Sequence, residues 1–181
     1  YVQLSAKTAE NLMLGAVNIG SSGIVSSASI DHRTGNVVIG GDNNNFVNIE
    51  GTINISASKL STPSGALNIT GTNVYYGGST KANGSTGGKI SAKAKEMLVL
   101  DSSIVAKGLQ ESGGDLMVIS EDVLLSTART NVDMTGSTNG GSIKLHADTH
   151  NLAAGTFKAD GNSGKGGNIA VSYTHLRAHE T

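Results

Sequence analysis

The sequence has few aromatic residues and no tryptophan or cysteine. Aromatic side chains make up 3% of its 181 residues, and proline occurs once, as Pro63. A β-sandwich or barrel of this length normally needs several aromatic anchors, whereas a narrow β-helix interior is filled by Ala, Val, Ile and Leu. A single proline also suits continuous β-ladders, because proline cannot donate a ladder hydrogen bond. The composition therefore argues against an ordinary globular domain.

Charge of one sign and long apolar runs are also scarce. The formal net charge is −1, and no basic stripe is present, so the usual electrostatic case for binding nucleic acid or an anionic membrane surface is missing. No apolar run approaches the roughly 20 residues that a transmembrane helix requires, and no signal peptide is recognisable. The sequence thus predicts neither a nucleic-acid partner nor a transmembrane segment.

A short glycine motif recurs along the chain. The pattern Gly-x-(Ile/Val/Leu)-x-(Ile/Leu/Val/Ala) occurs eight times, starting at Gly15, Gly35, Gly51, Gly65, Gly88, Gly114, Gly141 and Gly167. The last four copies stand about 26 residues apart, and each follows a second glycine, at Gly87, Gly113, Gly140 and Gly166. A period of about 20 to 50 residues indicates units that bury their apolar faces only by stacking on their neighbours. The paired glycines are therefore predicted to be structural positions of a repeat protein.

Each repeat is predicted to consist of strands and to form one coil of an all-β, parallel β-helix. Apolar and polar residues alternate within residues 143–148, which is the pattern of a strand with one buried face. Residues 2–7 show the same pattern, so we expect the chain to start inside a repeat. The later apolar segments of the repeats are Met97 to Leu100, Val123 to Leu125 and Leu152, and then Ile104 with Ala106, Val132 with Met134, and Phe157 with Ala159. Gly108, Gly136 and Gly161 close the repeats and lead into Ser/Asn/Gly-rich stretches that suit turns with positive φ.

The carboxyl-terminal residues do not continue the repeat pattern. The repeat signal stops near Val171, and residues 171–181 resemble a translated sequencing-adapter read-through. We therefore expect residues 1–170 to be a β-helix fragment that is truncated at both ends, and residues 171–181 to be a non-native tail. His175 and His179 of this tail are given no functional weight.

The repeats resemble a known family of proteins. Residues 112–118 (Ser-Gly-Gly-Asp-Leu-Met-Val), 139–147 and 157–169 are similar to the shaft repeats of filamentous-haemagglutinin-type adhesins. The resemblance covers most of residues 1–170 and is best from about Gly65 onward. It implies a right-handed β-helix without a cofactor in an outer-membrane-associated or secreted bacterial cell-surface protein. It also implies two-partner secretion through an outer-membrane barrel transporter, and cell adhesion to glycans or proteins of a host or neighbouring cell. The secretion module of that family is absent from this sequence.

Three side chains are the best candidates for a metal site. His146, Asp148 and His150 stand at alternate positions, which would place them on one face of a continuous strand. Neighbouring side chains on that face are roughly 6.5 to 7 Å apart, which is too wide for close convergence on one ion. We therefore expect surface decoration at these positions rather than a metal centre.

Other candidate sites are weaker still. Asp31, His32 and Arg33 are predicted to lie in an exposed turn, and Gly40 to Asn45 lacks the repeated spacing of calcium-binding β-rolls. The glycine pairs are not followed by a helix or a Gly-Lys-Ser/Thr motif, which argues against phosphate binding. Glycosylation sequons occur at Asn54, Asn68 and Asn83. Asn18, Asn54 and Asn68 are predicted to form one stacked polar row if the coils align.

The sequence is interpreted as a non-enzymatic shaft fragment of a large adhesin, with no catalytic residues assigned. Two alternatives stay open. The first is the stalk of a contact-dependent growth inhibition toxin, which would share the same rod. The second is a polysaccharide lyase or hydrolase, which requires carboxylates that converge in a groove across neighbouring coils. The carboxylates to examine for this are Asp101, Asp115, Glu121, Asp122, Asp133 and Asp148.

Overall fold

The protein is an all-β solenoid of parallel strands. The computed structural model describes residues 1–6, 16–27, 35–41 and 46–173. Seventeen strands and no helix occur in these described ranges, and the strand pairs that join successive coils are parallel. The parallel β-helix predicted from the sequence is therefore confirmed.

The strands stack in three rows that run along the coil axis. The first row contains β1 (Val2–Ala6), β4 (Asn36–Gly41), the start of β7 (Ala66–Tyr76), the start of β9 (Lys89–Leu100), β11 (Asp115–Ser120), β14 (Ser142–Ala147) and β17 (Asn168–Tyr173). The second row contains β2 (Ala16–Ile19), β5 (Phe46–Ile49), the ends of β7 and β9, β12 (Val123–Ser126) and β15 (His150–Ala153). The third row contains β3 (Ile24–Ser26), β6 (Thr52–Asn54), β8 (Ser79–Lys81), β10 (Ser103–Val105), β13 (Asn131–Asp133) and β16 (Thr156–Lys158).

The strand register confirms the period read from the sequence. Ile90 pairs with Leu116, Leu116 with Ile143 and Ile143 with Ile169, which are steps of 26, 27 and 26 residues. Upstream steps vary, at 35 residues from Val2 to Val37, 30 residues from Val37 to Leu67 and 23 residues from Leu67 to Ile90. The longer steps contain residues 7–15, 28–34 and 42–45, so the predicted turn at Asp31 and the stretch at Asp42 to Asn45 lie outside the described residues.

The eight glycine motifs are not equivalent positions of one repeat. The copy that begins at Gly15 runs into β2 of the second row, and the copy that begins at Gly51 runs into β6 of the third row. The other six copies lead into strands of the first row. The motif describes a local feature, a tight corner followed by a strand with one buried face, and every row of a β-helix contains such a feature. Residues 2–6 do occupy the first row, as the alternation predicts.

The core is formed by apolar side chains, each of which stacks on the apolar side chain at the equivalent position of the neighbouring coil. Inward columns of the first and second rows hold Val37, Leu67, Ile90, Leu116 and Ile143, and Val47, Val74, Leu98 and Leu124. Each of these side chains is almost completely buried. Burial of one such side chain contributes about 1.5 to 3 kcal/mol relative to exposure, so the stack itself is the main source of stability.

One aromatic ring is fully buried in this narrow interior among the described residues. Tyr76 is fully buried and occupies the column position that Ile49 and Leu100 occupy in the neighbouring coils. Its hydroxyl oxygen lies 2.7 Å from Thr80 Oγ1, which is also buried. Because a buried hydroxyl is costly without a partner, Tyr76 is accommodated only by a polar residue in the next strand. Burial raises the pKa of Tyr76 far above its ordinary value.

Close packing at the corner before the first row requires glycine at seven of the eight paired positions, the exception being Gly166, where a Cβ atom would meet nothing within 4 Å among the described residues. A Cβ atom at Gly114 would lie 2.6 Å from Ala106 Cβ and closer still to the Gly88 carbonyl oxygen. A Cβ atom at Gly113 would likewise overlap the backbone of Met134. Only a residue without a side chain fits between these stacked backbones.

The closing turns use glycine for the same reason, which corrects the expectation of positive φ there. Among the described glycines, positive φ occurs at Gly78 (70°) and Gly155 (112°). Gly108, Gly136 and Gly161 instead form a column of parallel bridges from coil to coil. A side chain at any of the three would collide with a carbonyl oxygen of its own turn.

The last described strand passes the boundary expected at residue 170. Strand β17 runs from Asn168 to Tyr173, in register with β14. Val171 and Tyr173 therefore continue the inward column positions of Leu145 and Ala147, and both are half exposed or more. Residues 174–181 of the predicted tail lie outside the described part of the chain.

Candidate functional site

A buried carboxylate joins three successive coils. Asp101 lies in the turn after β9, and its side chain is 4% exposed. Tyr75 Oη donates a hydrogen bond to Asp101 Oδ2 at 2.8 Å, and Arg129 Nε donates one to Asp101 Oδ1 at 3.0 Å. Arg129 Nη2 and the Thr127 hydroxyl donate to the same carboxylate. Tyr75 belongs to the preceding coil, whereas Thr127 and Arg129 belong to the following one, so the group is a clamp across the stack.

The electrostatics of this clamp favour the ionised carboxylate. Burial by itself would raise the pKa of Asp101, but hydrogen bonds from Thr127, Tyr75 and Arg129 outweigh burial and lower it. The hydrogen bond to Asp101 raises the pKa of the Tyr75 hydroxyl, because the bond stabilises the protonated phenol. Four donors already occupy the carboxylate oxygens, so Asp101 is held as an anion with a structural task.

A second acidic residue is neutralised in the same manner. Asp133 ends the third-row strand β13, and its Oδ2 lies 2.9 Å from Lys107 Nζ of the preceding coil. Asp133 Oδ1 accepts hydrogen bonds from the Thr135 hydroxyl at 2.6 Å and the Thr135 amide at 3.1 Å. Burial opposes ionisation, yet the bonds from Thr135 and Lys107 lower the pKa of Asp133.

The six carboxylates named from the sequence lie in different places around the coil. Asp101 lies between the second and third rows, Asp115 starts a first-row strand, and Asp133 lies in the third row. Only Glu121, Asp122 and Asp148 share one location, the turns from the first to the second row, where all three are exposed. The described residues therefore bring together no groove that contains all six.

The predicted face of His146, Asp148 and His150 does not form. Strand β14 ends at Ala147, so Asp148 lies in a turn and His150 begins β15 of the second row. His146 Nε2 lies 3.0 Å from Asp148 Oδ1, and His146 Nδ1 lies 2.9 Å from Ser172 Oγ. The ring thus contacts the turn and the next coil. In the part of the chain that the structure describes, no group of three or more His, Cys, Asp or Glu residues is placed to hold a metal ion.

The predicted asparagine row is also wrong in its membership. Asn18, Asn54 and Asn68 lie in the second, third and first rows, respectively. A true amide contact joins Asn18 to Asn48, whose Nδ2 donates to Asn18 Oδ1 at 3.1 Å. The side chain of Asn83 accepts the Lys107 amide hydrogen at 2.9 Å, so this sequon residue has a structural role. The sequence patterns did not reveal which row each asparagine occupies.

Two features of the surface were missed by sequence reasoning. The first is the Asp101 clamp, although Tyr75, Asp101 and Thr127 are spaced by 26 residues, one repeat. The second is the outer face of the second row, where Met97, Val99 and Leu125 point outward beside inward-facing apolar residues. The signal for this face was the loss of apolar–polar alternation in residues 97–100 and 123–125.

Comparison of the chain with protein-family models, with curated proteins and with solved structures finds no match. The adhesin resemblance therefore rests on the sequence motifs quoted above. The described part of the chain contains no helix that is long and apolar enough to cross a membrane.

Proposed function

We propose that this chain is a section of the stiff shaft of a secreted or cell-surface bacterial adhesin. The observation that carries the proposal is the use of polar residues between coils. Contacts between neighbouring coils are made by Asp101, by Asp133 and by the Asn18–Asn48 pair. Contacts of this kind stiffen a rod, and the polar groups that make them are occupied by structural hydrogen bonds.

The mechanism is mechanical. Each coil advances the stack by roughly 4.8 Å, the spacing of hydrogen-bonded strands, so a chain of many such repeats holds a distant binding region away from the cell. Repeated weak contacts along its length add avidity when the partner surface is also multivalent. The partners are surface glycans or proteins of a host or neighbouring cell, and export uses an outer-membrane barrel transporter, as the resemblance implies.

The first experiment tests the location of the protein. Antibodies raised against the purified chain should label intact cells that express the full-length protein, and external protease should remove the label. Labelling that requires permeabilised cells would contradict the proposal. A cytoplasmic protein of equal abundance, probed on the same cells, provides the control for leakage.

The second experiment tests the activity. Deletion of the gene should reduce adherence of the cells to host-cell or bacterial layers, and complementation should restore it. If deletion instead abolishes growth inhibition of neighbouring cells in co-culture, the chain is the stalk of a contact-dependent toxin. If the purified chain cleaves polysaccharides, measured by new reducing ends, it is an enzyme and the proposal fails.

A further inference from the structure

The second row differs from the other two rows in the chemistry of its outer face. Six outward side chains in four successive coils are apolar or aromatic, namely Tyr75, Met97, Val99, Val123, Leu125 and Leu152. We call this set the second-row face. The inward side chains of the same strands, such as Leu98 and Leu124, are buried in the core. A strand that is apolar on both sides is typical of a strand covered on both sides.

The other rows provide the comparison. One outward column of the third row begins with the exposed Ile24 and then carries only polar residues, Thr52, Ser79, Ser103, Asn131 and Thr156. Outward positions of the first row mix charged, polar and apolar residues, with Met117 and Ile119 as its only large apolar pair in the same coil. The concentration of apolar side chains on one row is therefore a property of that row and not of the repeat.

The second-row face is exposed. Leu152 is 65% and Met97 is 42% exposed, while Tyr75, Val99, Val123 and Leu125 are partly exposed. An open pocket lies against its last two coils and is lined by Val123, Leu125, Leu152 and Tyr173 among others. Contiguous exposed apolar surface of this kind marks an interaction site more often than scattered single residues do.

The rim of the second-row face is negatively charged. Glu96, Glu121, Asp122 and Asp148 are exposed at or just before the points where the chain enters the second row. Within the described residues, Glu121 and Asp122 have no ion pair, and Lys95 is the one basic residue among these turns. On the opposite rim, the charge of Arg129 is already paired with Asp101. The face therefore attracts a cation and repels a second negatively charged rim.

The dimensions of the face disfavour a second copy of this chain as its occupant. Four coils cover roughly 15 Å along the axis, and the two outward positions of each strand cover roughly 7 Å across it. A stable dimer buries about 800 Å² on each partner, which is several times this footprint. Two copies that pack face to face with antiparallel axes would also bring their acidic rims together.

The spacing of the face fits an α-helix. Outward side chains repeat every roughly 4.8 Å along the coil axis, and the apolar stripe of a helix repeats every 5.4 Å turn. An extended peptide places same-side residues roughly 6.5 to 7 Å apart, which matches the coil spacing less well. We propose that the second-row face is a docking surface for a cationic amphipathic helix, whose apolar stripe lies on the face and whose Lys and Arg residues contact the acidic rim. This proposal does not depend on the adhesin assignment.

The test uses the whole chain and a labelled 18-residue helical peptide made of Leu and Lys, with fluorescence anisotropy as the readout. A Leu/Glu peptide of the same pattern and a Leu/Lys peptide in scrambled order are the matched probes. The wild-type chain should bind the Leu/Lys helix at least ten-fold more tightly than it binds the Leu/Glu peptide or the scrambled Leu/Lys peptide. Raising the salt concentration to 0.5 M should weaken this binding, because the rim charges are exposed. Equal binding of all three peptides, or no binding of the Leu/Lys helix, would overturn the proposal.

Variants then locate the site. The double variant V99S/L125S should lose at least ten-fold in affinity for the Leu/Lys helix. The variant E121Q/D122N should show a weaker salt dependence, because only Glu96 and Asp148 of the acidic rim remain charged. The control M117S/I119S changes an outward apolar pair in the first row and should bind like the wild type. Circular dichroism of each variant checks that the β-structure is retained. Equal losses in V99S/L125S and in the control would overturn the assignment, as would sedimentation of the wild type as a dimer that V99S/L125S dissociates, because the occupant would then be a second copy.

Discussion

Arg129 reaches back one coil to Asp101 and donates hydrogen bonds to both oxygens of its carboxylate. The two residues differ sharply in exposure, since the Arg129 side chain is 79% exposed and the Asp101 side chain is 4% exposed. An exposed guanidinium thus covers a buried anion, and Tyr75 supports the same carboxylate from the other side. The pair fixes the corner between the second and third rows.

The first prediction concerns removal of this buried charge partner. Asp101→Ala leaves the Arg129, Tyr75 and Thr127 donors without their acceptor. We expect a loss of about 1 to 3 kcal/mol in the free energy of unfolding, because hydrogen bonds to a charged group are lost while the exposed Arg129 regains water. Urea unfolding, monitored by circular dichroism, measures this change in the free energy of unfolding. The matched control is Asp115→Ala, an exposed carboxylate, for which the change should stay within about 0.5 kcal/mol. Equal effects of the two variants would show that Asp101 is not a clamp.

The second prediction concerns acid. The folded-state pKa values of Asp101 and Asp133 lie below the ordinary value of 3.8, so their ionised forms stabilise the fold. This contribution is complete above about pH 4 to 5 and is lost as the pH falls through the lowered values. The wild type should therefore lose stability steeply below pH 4. The variant D101N/D133N should be less stable at pH 7 and show a shallower decline on acidification, measured by urea midpoints at each pH. An unchanged slope would contradict the pKa assignments.

Sequence reasoning identified the fold because the repeat signal is strong. It failed wherever the position of a side chain depends on which of the three rows of strands contains it. The alternation at residues 143–148 predicted one strand, but the strand ends at Ala147 and the chain turns before His150. A corner in a β-helix changes the direction of the chain without leaving a gap in the apolar pattern. The predicted face of His146, Asp148 and His150 does not form for this reason. The predicted asparagine row does not form because its three members belong to different rows.

The sequence pattern singled out the glycine pairs as repeat positions, but the close contacts that surround most of them were not visible in the sequence. In the sequence alone, Gly108 and Gly114 cannot be distinguished from glycines that are needed for a turn with positive φ. A side chain at Gly108 would collide with the Ser112 carbonyl of its own turn, whereas a side chain at Gly114 would collide with Ala106 and with Gly88 of the preceding coil, which only the folded structure brings near. Period and composition could thus predict the architecture, whereas close contacts between coils required the fold.

The third prediction tests whether close packing is the cause of glycine use at these corners. Gly114→Ala should destabilise the protein by about 1 to 3 kcal/mol, because the added methyl group overlaps Ala106 and the Gly88 carbonyl. Gly166→Ala is the matched control, since a Cβ atom there meets nothing within 4 Å among the described residues. The control should change stability by less than about 0.5 kcal/mol. Thermal unfolding by circular dichroism ranks the two variants, and a larger loss for Gly166→Ala would contradict the packing account.

The last prediction tests whether a coil is the unit of the fold. Removal of residues 117–143 joins Leu116 to Lys144 and excises one full step of the register, in which Leu116 pairs with Ile143. The inward–outward alternation continues across the junction, so the shortened chain should keep its β-structure and unfold cooperatively, because each coil contacts only its neighbours.

Removal of residues 117–142 is the matched control, because it joins Leu116 directly to Ile143. Two inward residues then become consecutive, and the remainder of the strand must turn its apolar side chains to solvent or its polar ones to the core. We expect this chain to lose cooperative unfolding or to aggregate, as measured by circular dichroism and sedimentation velocity. The two deletions differ by one residue, so a difference between them can arise only from register. Equal stability of the two chains would show that the corners absorb such a slip and that the period is not enforced by the core.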